Sequence, residues 1–266
     1  MGLTSVSKRG EAPSGTLERG LSVLEFIAKT SEASASDAVT ALGISRSATY
    51  RIIDTLRRKR YLEISPASEK LRLGIKTAEL GMAAVSGVDA VRLAPSYLRA
   101  LVEKTLETVF LAVVDDDAVV YVYKEEGPQA IKMSSRLGSR RPVHCTALGK
   151  AYVSALPEDI RPSFIRGLRL RRFTDNTVTD ADALEAEIAV AKKRGYAADR
   201  VEVEEGVACF GAPLLDHRGL PVAAISVAGP AERLLPKEDE VGPLVAKTAL
   251  AMSRRLGYVE PSEERK

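Results

Sequence analysis

The sequence is poor in the residues that mark secreted, membrane-embedded or metal-dependent proteins. It has two cysteines, Cys145 and Cys209, and two histidines in 266 residues. Two cysteines cannot form a disulfide framework, and their scarcity favours a reducing cytoplasm as the location. No apolar run approaches the roughly 20 residues that a membrane span needs, so no membrane partner is expected. The polar residues 1–15 lack the apolar segment of a signal peptide and are predicted to form a flexible tail.

Positive charge is concentrated near the N-terminus. The whole chain carries a formal net charge of +3. Residues 16–76 contain 11 Lys/Arg and 7 Asp/Glu, a net charge of +4, so the remainder of the chain sums to −1. This asymmetry suggests a nucleic-acid-binding module that is joined to a domain of another kind.

Three short helical patterns follow one another in this basic region. Apolar residues recur at helical spacing from Leu17 to Lys29, and Ser34 or Ser36 can cap a second, shorter helix. A third helix, with Ser45 as its cap, is predicted from Arg46 to about Lys59. The β-like runs YLEI and KLRL then enclose a Pro-Ala-Ser-Glu turn, which predicts a two-stranded wing. The order of these elements is typical of a winged helix-turn-helix domain.

The third helix carries the predicted DNA contacts of this domain, which spans residues 16–76. The apolar side chains of Tyr50, Ile53 and Leu56 are expected to face inward, and the cations and small polar residues to face DNA. Residues at the helix N-terminus would approach base edges and phosphates, and the basic cluster at its end would neutralise backbone phosphates. For the charge alone, a solvated helix end is the alternative. The predicted contacts are Ser45, Arg46, Ser47, Thr49, Tyr50, Arg51, Arg57, Arg58, Lys59 and Arg60.

The rest of the chain predicts a mixed domain. Residues 77–94 are predicted to form a linker helix that ends at a proline, and residues 95–258 a second domain before a short tail at 259–266. Within that domain, β-rich runs flank Asp-Asp-Asp and Asp-His-Arg-Gly turns, and a short strand is predicted in QAIKMSSRLG. Helices are predicted over 180–194 and 244–256. Hairpin strands with helices on their faces indicate an α+β fold with an antiparallel sheet.

The stretch RLGSRRPVHCTALGKA contains the best candidate for a ligand site. Thr146 can cap the helix that begins there, which would leave free N–H groups at Ala147, Leu148 and Gly149. Free N–H groups and the helix dipole together favour an anion such as a carboxylate. A plain capped helix without a ligand is the alternative.

Catalysis and metal binding have weaker support. His144 and Cys145 are neighbours on an extended segment, where successive side chains point to opposite faces, so a nucleophilic dyad has poor geometry. A zinc site built from Cys145, Cys209 and a histidine would lack any CxxC or HxxxH spacing. The three consecutive aspartates are expected to form a solvated turn. No catalytic residue, cofactor or metal is therefore predicted.

Four sequence blocks resemble the IclR family of bacterial transcriptional regulators. They are LERGLSVLEFIA, GISRSATYRIIDTL, GSRRPVHCTALGKAYVSAL and RGYAADRVEVEEGVACFGAPLLDHRGLPVAAISVAGP, and the similarity runs from Leu17 to Tyr258. The resemblance implies a winged helix-turn-helix domain, a linker helix and a GAF-like effector domain. It also implies a homodimer, often a dimer of dimers, that binds double-stranded operator DNA. A metabolite-binding module or cysteine-dependent enzyme with a basic N-terminal domain is the alternative function.

The resemblance further implies that a small organic acid or aromatic metabolite modulates operator binding. In relatives the effector lies between the sheet and the N-terminus of the TALGK helix. Carried over to matching positions, the effector contacts are Met133, the N–H groups of Ala147 and Leu148, and Asp199, Cys209 and Ser226.

Three positions depart from the family pattern. One of the two usual acids after GYxxDx is Val201, with Glu202 beside it, and a second serine found in some members is Ala228. These losses suggest an effector that is larger or more apolar than glyoxylate-sized acids. The usual glycine before the wing is Arg60, which adds charge and is expected to alter how the chain enters the wing.

Overall fold

The computed structural model describes residues 15–86, 89–133 and 135–260, and at residues 85 and 86 it describes the backbone alone. The predicted tails at 1–15 and 259–266 lie outside the described residues except for Gly15, Val259 and Glu260. The chain divides into two compact units, Met1–Gly87 and Val88–Lys266.

The described part of the first unit consists of three helices, a two-stranded wing and a fourth helix after the wing. Ser34 caps the second helix by accepting a hydrogen bond from the Asp37 N–H, and Gly43 ends it with a φ of +62°. The wing strands pair antiparallel, with Leu62 opposite Leu73. The elements are α1 (Thr16–Thr30), α2 (Ala35–Leu42), α3 (Arg46–Arg58), β1 (Leu62–Ile64), β2 (Leu71–Leu73) and α4 (Ile75–Ser86). Their core is formed by Val23, Ile27, Ala33, Ile52, Ile53, Leu62 and Leu71.

The helix predicted to end at Pro95 instead continues through it. After α4, residues 89–105 form α5 (Asp89–Thr105), with Pro95 inside the helix. Proline removes one intrahelical hydrogen bond, but the apolar side of the helix is buried on both sides of it. Ala94 and Leu98 are both fully buried. Tertiary packing therefore outweighs the local preference of proline, as it does for most helices.

The second unit is built on an antiparallel sheet, which confirms the α+β prediction. Six strands pair in the order β5-β4-β3-β8-β7-β6 across the described residues, each antiparallel to its neighbour. The strand predicted within 129–138 is wrong, because the described part of that segment is irregular and β5 follows it. The strands are β3 (Thr108–Asp115), β4 (Ala118–Glu125), β5 (Arg140–Pro142), β6 (Ala197–Arg200), β7 (Val207–Leu215) and β8 (Pro221–Pro230).

Helices cover both faces of this sheet. Along β3, Val109 and Leu111 belong to one apolar cluster, whereas Phe110 and Ala112 belong to the other. The first cluster includes α5 and α10, and the second includes α6, α7 and α8. These helices are α6 (Ala147–Ser154), α7 (Arg161–Gly167), α8 (Ala181–Arg194), α9 (Ala231–Leu234) and α10 (Glu238–Arg255). None of the described helices has the length and apolar content that a bilayer crossing requires.

Candidate functional site

The outer face of α3 is exposed, but one predicted DNA contact lies on its inner face. Ser45, Arg46, Ser47 and Arg51 are exposed. Thr49 is fully buried, and its hydroxyl donates to the carbonyl oxygen of Ser45 at 3.1 Å. The prediction that Thr49 contacts DNA is therefore wrong, because the 3.6-residue period places it above the buried side chains of the same helix.

Tyr50 shows the complementary error. It was predicted both to pack inward and to contact DNA, and the structure leaves 44% of it exposed. The guanidinium carbon of Arg46 lies 5.7 Å from the centre of its ring, within the range of a cation–π contact. Ser45 is the N-cap of α3, but its side chain makes no capping hydrogen bond among the described residues. These three side chains leave a hydroxyl, a guanidinium and a phenol on the exposed helix start.

The basic end of α3 is exposed, and its cations differ in their surroundings. Arg58 forms an ion pair with Asp54 at 2.7 Å, within the same helix and open to solvent. Arg60 has a φ of +63°, in the left-handed region where glycine is usual. Its carbonyl oxygen accepts from the Lys76 N–H at 3.1 Å, and a Cβ on Gly74 would overlap that oxygen. The chain therefore enters the wing through a tight backbone turn at Arg60.

The second candidate site is the N-terminus of α6. Thr146 is its N-cap, and the threonine hydroxyl oxygen accepts from the Gly149 N–H at 3.1 Å. The prediction of three free N–H groups is thus wrong at Gly149, which the cap itself satisfies. The N–H groups of Ala147 and Leu148 have no acceptor in the described part of the chain. Two donors therefore remain for an anion at the positive end of the helix.

Two glycines allow close backbone contacts at this helix start. A Cβ on Gly211, in β7, would come within 2.8 Å of the Ala147 carbonyl oxygen. A Cβ on Gly149 would overlap the backbone of Val143. Neither position has room for a side chain. Gly211 allows the start of α6 to approach β7, and Gly149 allows α6 to lie against the segment that precedes it.

A small cavity lies where this helix start faces the sheet. Its volume is about 30 Å³. Asp199 on β6 is paired with Cys209 on β7, and Gly211 on β7 is paired with Ser226 on β8, so adjacent strands bring these side chains together. The structure places all six residues predicted for effector binding around this one cavity. They are Met133, Ala147, Leu148, Asp199, Cys209 and Ser226.

Asp199 is the titratable group of the cavity. Only 3% of it is exposed, and it accepts a hydrogen bond from the Glu202 N–H at 2.8 Å. Burial is the main cause that raises its pKa to about 7, and the nearby carboxylate of Glu202 adds to the increase. The carboxyl group is therefore poised between its charged and neutral forms near neutral pH.

Sequence reasoning missed a buried ion pair beneath this cavity. Lys150 is 2% exposed, and its ammonium group lies 2.6 Å from Glu202 and 2.9 Å from Glu187. Glu202 therefore neutralises a buried lysine instead of lining the cavity. The signal available in the sequence was Lys150 itself, a cation four residues after the cap on an otherwise apolar helix, where burial requires a partner.

The cysteines are not arranged for nucleophilic chemistry. Cys145 is fully buried, and burial raises its pKa to about 12, while burial also raises the pKa of Cys209. Thiolate, the reactive form, is therefore disfavoured at both positions. The ring of His144 is within 3.0 Å of the Arg171 carbonyl oxygen. No cluster of three potential metal ligands occurs among the residues that the structure describes.

Known proteins resemble both units. Residues 16–66 match the IclR helix-turn-helix domain family, and residues 82–254 match the family described as bacterial transcriptional regulator IclR C-terminal. The regulator XynR of Escherichia coli (strain K12) is 32% identical over 245 residues, 91% of this chain and 97% of that protein.

Solved structures show the same architecture. The Thermotoga maritima IclR is 32% identical with a TM-score of 0.78, over 91% of this chain and 99% of that one. An IclR homolog from Microbacterium hydrocarbonoxydans, in complex with 4-hydroxybenzoate, is 24% identical with a TM-score of 0.78 and the same coverage. At 24% identity the second likeness concerns the fold alone.

Proposed function

Because the chain belongs to the IclR family of bacterial transcriptional regulators, we propose that it binds a specific DNA operator and that a small acid modulates its affinity. The operator would be read by the exposed start of α3, and the acid would bind in the cavity at the start of α6. Such a regulator works where the DNA is, in the cytoplasm.

The DNA-binding part of the proposal rests on one observation, that α3 has a buried face and an exposed face. Thr49, Ile52 and Ile53 are buried, whereas Arg46, Tyr50 and Arg51 are exposed. An exposed helix start with a guanidinium and small hydroxyls suits base edges and phosphates in the major groove. The proposed DNA contacts are Ser45, Arg46, Ser47, Tyr50, Arg51, Arg57, Arg58, Lys59 and Arg60.

Self-association is proposed because the first unit exposes leucines in one apolar groove. Leu17 is 79% exposed, and Leu21 and Leu80 line the same groove at about half exposure. A patch of this kind on a small domain is typical of an interface. A homodimer would present two recognition helices to half-sites about 34 Å apart or a multiple of that spacing. A dimer of dimers would extend the same arrangement.

The groups around the small cavity support the part of the proposal that concerns effector binding. Two unpaired N–H groups at a helix N-terminus favour a carboxylate. A homolog of the same fold was obtained with 4-hydroxybenzoate, so this fold is compatible with an aromatic acid. The acid would act by binding more tightly to one of two protein states that differ in DNA affinity. It can shift the equilibrium between these states only by the difference between its affinities for them.

The test is fluorescence anisotropy of a labelled duplex taken from the DNA just upstream of the gene. The protein is titrated at two salt concentrations and then with a panel of aliphatic and aromatic carboxylates. Tight binding should weaken with salt, with a log–log slope of about −0.9 for each phosphate contacted. One acid should shift the affinity in the wild type and leave it unchanged in Asp199→Ala. Equal, weak and salt-insensitive binding to every duplex would contradict the proposal.

A further inference from the structure

The small cavity is too small to hold a whole effector, and a larger one adjoins it. The inner cavity, at about 30 Å³, has room for a group the size of one or two waters. The outer cavity has a volume of about 570 Å³. The five residues that line both cavities are Met133, Ser135, Arg141, Glu204 and Val207. A molecule that uses the inner cavity must therefore extend into the outer one.

The inner cavity is equipped for a single small anionic group. The N–H groups of Ala147 and Leu148 lack acceptors within the described residues, as shown above. Ser226 is only 2% exposed, lines the cavity, and its hydroxyl makes no hydrogen bond to any described residue. The hydroxyl is therefore available to donate to a group bound in the cavity. One carboxylate could accept from all three donors.

Arg141 stands at the junction of the two cavities without a counter-ion. It is half-buried, and it forms neither an ion pair nor a hydrogen bond with any residue that the structure describes. Its neighbour Arg140 shows the ordinary situation, because it is exposed and pairs with Asp115 at 2.5 Å. Partial burial of an unpaired guanidinium is costly, so the position suits an anion that arrives with the ligand.

The other charged residues of the outer cavity are less able to hold such an anion. Lys132 pairs with Glu126 at 2.5 Å. Glu204 and Glu205 are exposed, so water and salt screen their repulsion of an anionic ligand. Arg136 is exposed and already has an interaction partner. Arg141 is therefore the cation of this cavity that combines partial burial with an unoccupied guanidinium fork.

We propose that the effector carries two anionic groups, one carboxylate at the Ala147 and Leu148 N–H groups and a second anionic group at Arg141 in the outer cavity. The inference rests on the proposed function, since it concerns the same effector. It narrows the effector class from small acids in general to elongated diacids. Arg141 is then the residue that selects them.

The test compares matched acids by calorimetric titration of the full-length protein. The pairs are hexanoate with adipate and 4-methylbenzoate with terephthalate. At least one diacid should bind roughly tenfold or more tightly than its monoacid, the effect of one additional charge-assisted interaction. Arg141→Gln should weaken diacid binding more than monoacid binding, so that the preference is lost, and Arg141→Lys should keep part of it. A thermal melt of each variant shows whether it is folded.

Arg140→Gln is the matched control, because it removes the same charge from the adjacent residue, which lines neither cavity. It should retain the full diacid preference. The inference is overturned if diacids bind no better than monoacids, or if Arg141→Gln and Arg140→Gln behave alike. If monoacids still bind and shift operator affinity, the proposed function survives that result. If no acid binds at all, both the diacid inference and the effector half of the proposed function fail.

Discussion

The two units of the chain place their candidate sites in opposite environments. In the first, the candidate groups are side chains on the outside of α3, such as Arg46 and Arg51, and water surrounds them. In the second, the groups are two backbone N–H groups, a buried hydroxyl and Asp199, which is 3% exposed. An exposed site can be altered with little effect on folding, whereas a buried one is part of the core. Binding and stability are therefore separable in the first unit and coupled in the second.

The largest expected effect concerns the pH dependence of the second unit. The pKa of Asp199 is raised from 3.8 to about 7 in the folded protein. Between these values the unfolded chain is ionised while the folded chain holds the proton, so stability is lost as pH rises from about 4 to 7. In Asp199→Asn this loss should be absent. The difference in unfolding free energy between the two proteins should change by as much as about 4 kcal/mol over this range.

Hydrogen exchange of β7 amides across this pH range would measure that difference, because it reports the second unit separately. Burial also raises the pKa of Glu202 and acts in the same direction in both proteins. The part of the difference that remains belongs to Asp199 and to its interaction with Glu202. Parallel pH profiles for wild type and Asp199→Asn would show that Asp199 is not buried as a neutral acid.

Gly149→Ala tests whether the close approach of α6 is essential to the second unit. The added methyl group would overlap the backbone of Val143, so the melting temperature of this unit should fall, with a cost of about 3 kcal/mol. Gly167→Ala, in α7, is the control because nothing lies within 4 Å of its Cβ position. Equal melting temperatures for the two variants in calorimetry would contradict tight packing of Gly149 against Val143.

Arg46→Ala addresses the first unit, where operator affinity should change while stability stays the same. Loss of one guanidinium from the exposed start of α3 should weaken operator affinity by about 1–3 kcal/mol if it contacts a base. The melting temperature should be unchanged, since Arg46 is exposed and the Tyr50 ring that it contacts is exposed as well. Thr49→Val, at a fully buried position on the same helix, is the counterpart. Thr49→Val should lower the stability of the first unit, whereas the operator affinity of the protein that remains folded should change little.

Arg60→Gly should produce the smallest effect, with opposite signs for stability and binding. The φ of +63° at Arg60 is unfavourable for a residue with a side chain, so glycine should stabilise the first unit by up to about 1 kcal/mol. The same change removes a cation near the DNA backbone and should reduce the salt slope of operator binding by about 1. A steeper or equal slope would argue that Arg60 does not contact phosphate.

Much of the fold followed from local sequence. Helical spacing and end signals predicted α1, α2 and α3, and Asp180 and Gly195 bound α8 as expected, with Gly195 at a φ of +81°. The wing and the hairpin of β3 and β4 also follow their turn residues. By contrast, β6 has only four residues and was not predicted, because so short a run carries no periodicity and forms only by pairing with β7.

The candidate sites also combine features that local sequence predicts with features that depend on tertiary structure. The cap at Thr146 was predictable from residue type, because it depends on residues within one helical turn. That Thr49 faces inward and Tyr50 outward depends on which side of α3 meets the core, a choice that the apolar pattern of α3 left ambiguous.

The sequence by itself therefore determined where helices begin and end and where positive charge accumulates, since these depend on residues close together in the chain. Tertiary structure alone decided the pKa of Asp199, the burial of Lys150 against Glu202, and the position of Arg141 between two cavities with no ion-pair partner among the described residues. Each of these depends on desolvation or on partners from distant segments. Such quantities arise only when the sheet brings those segments together.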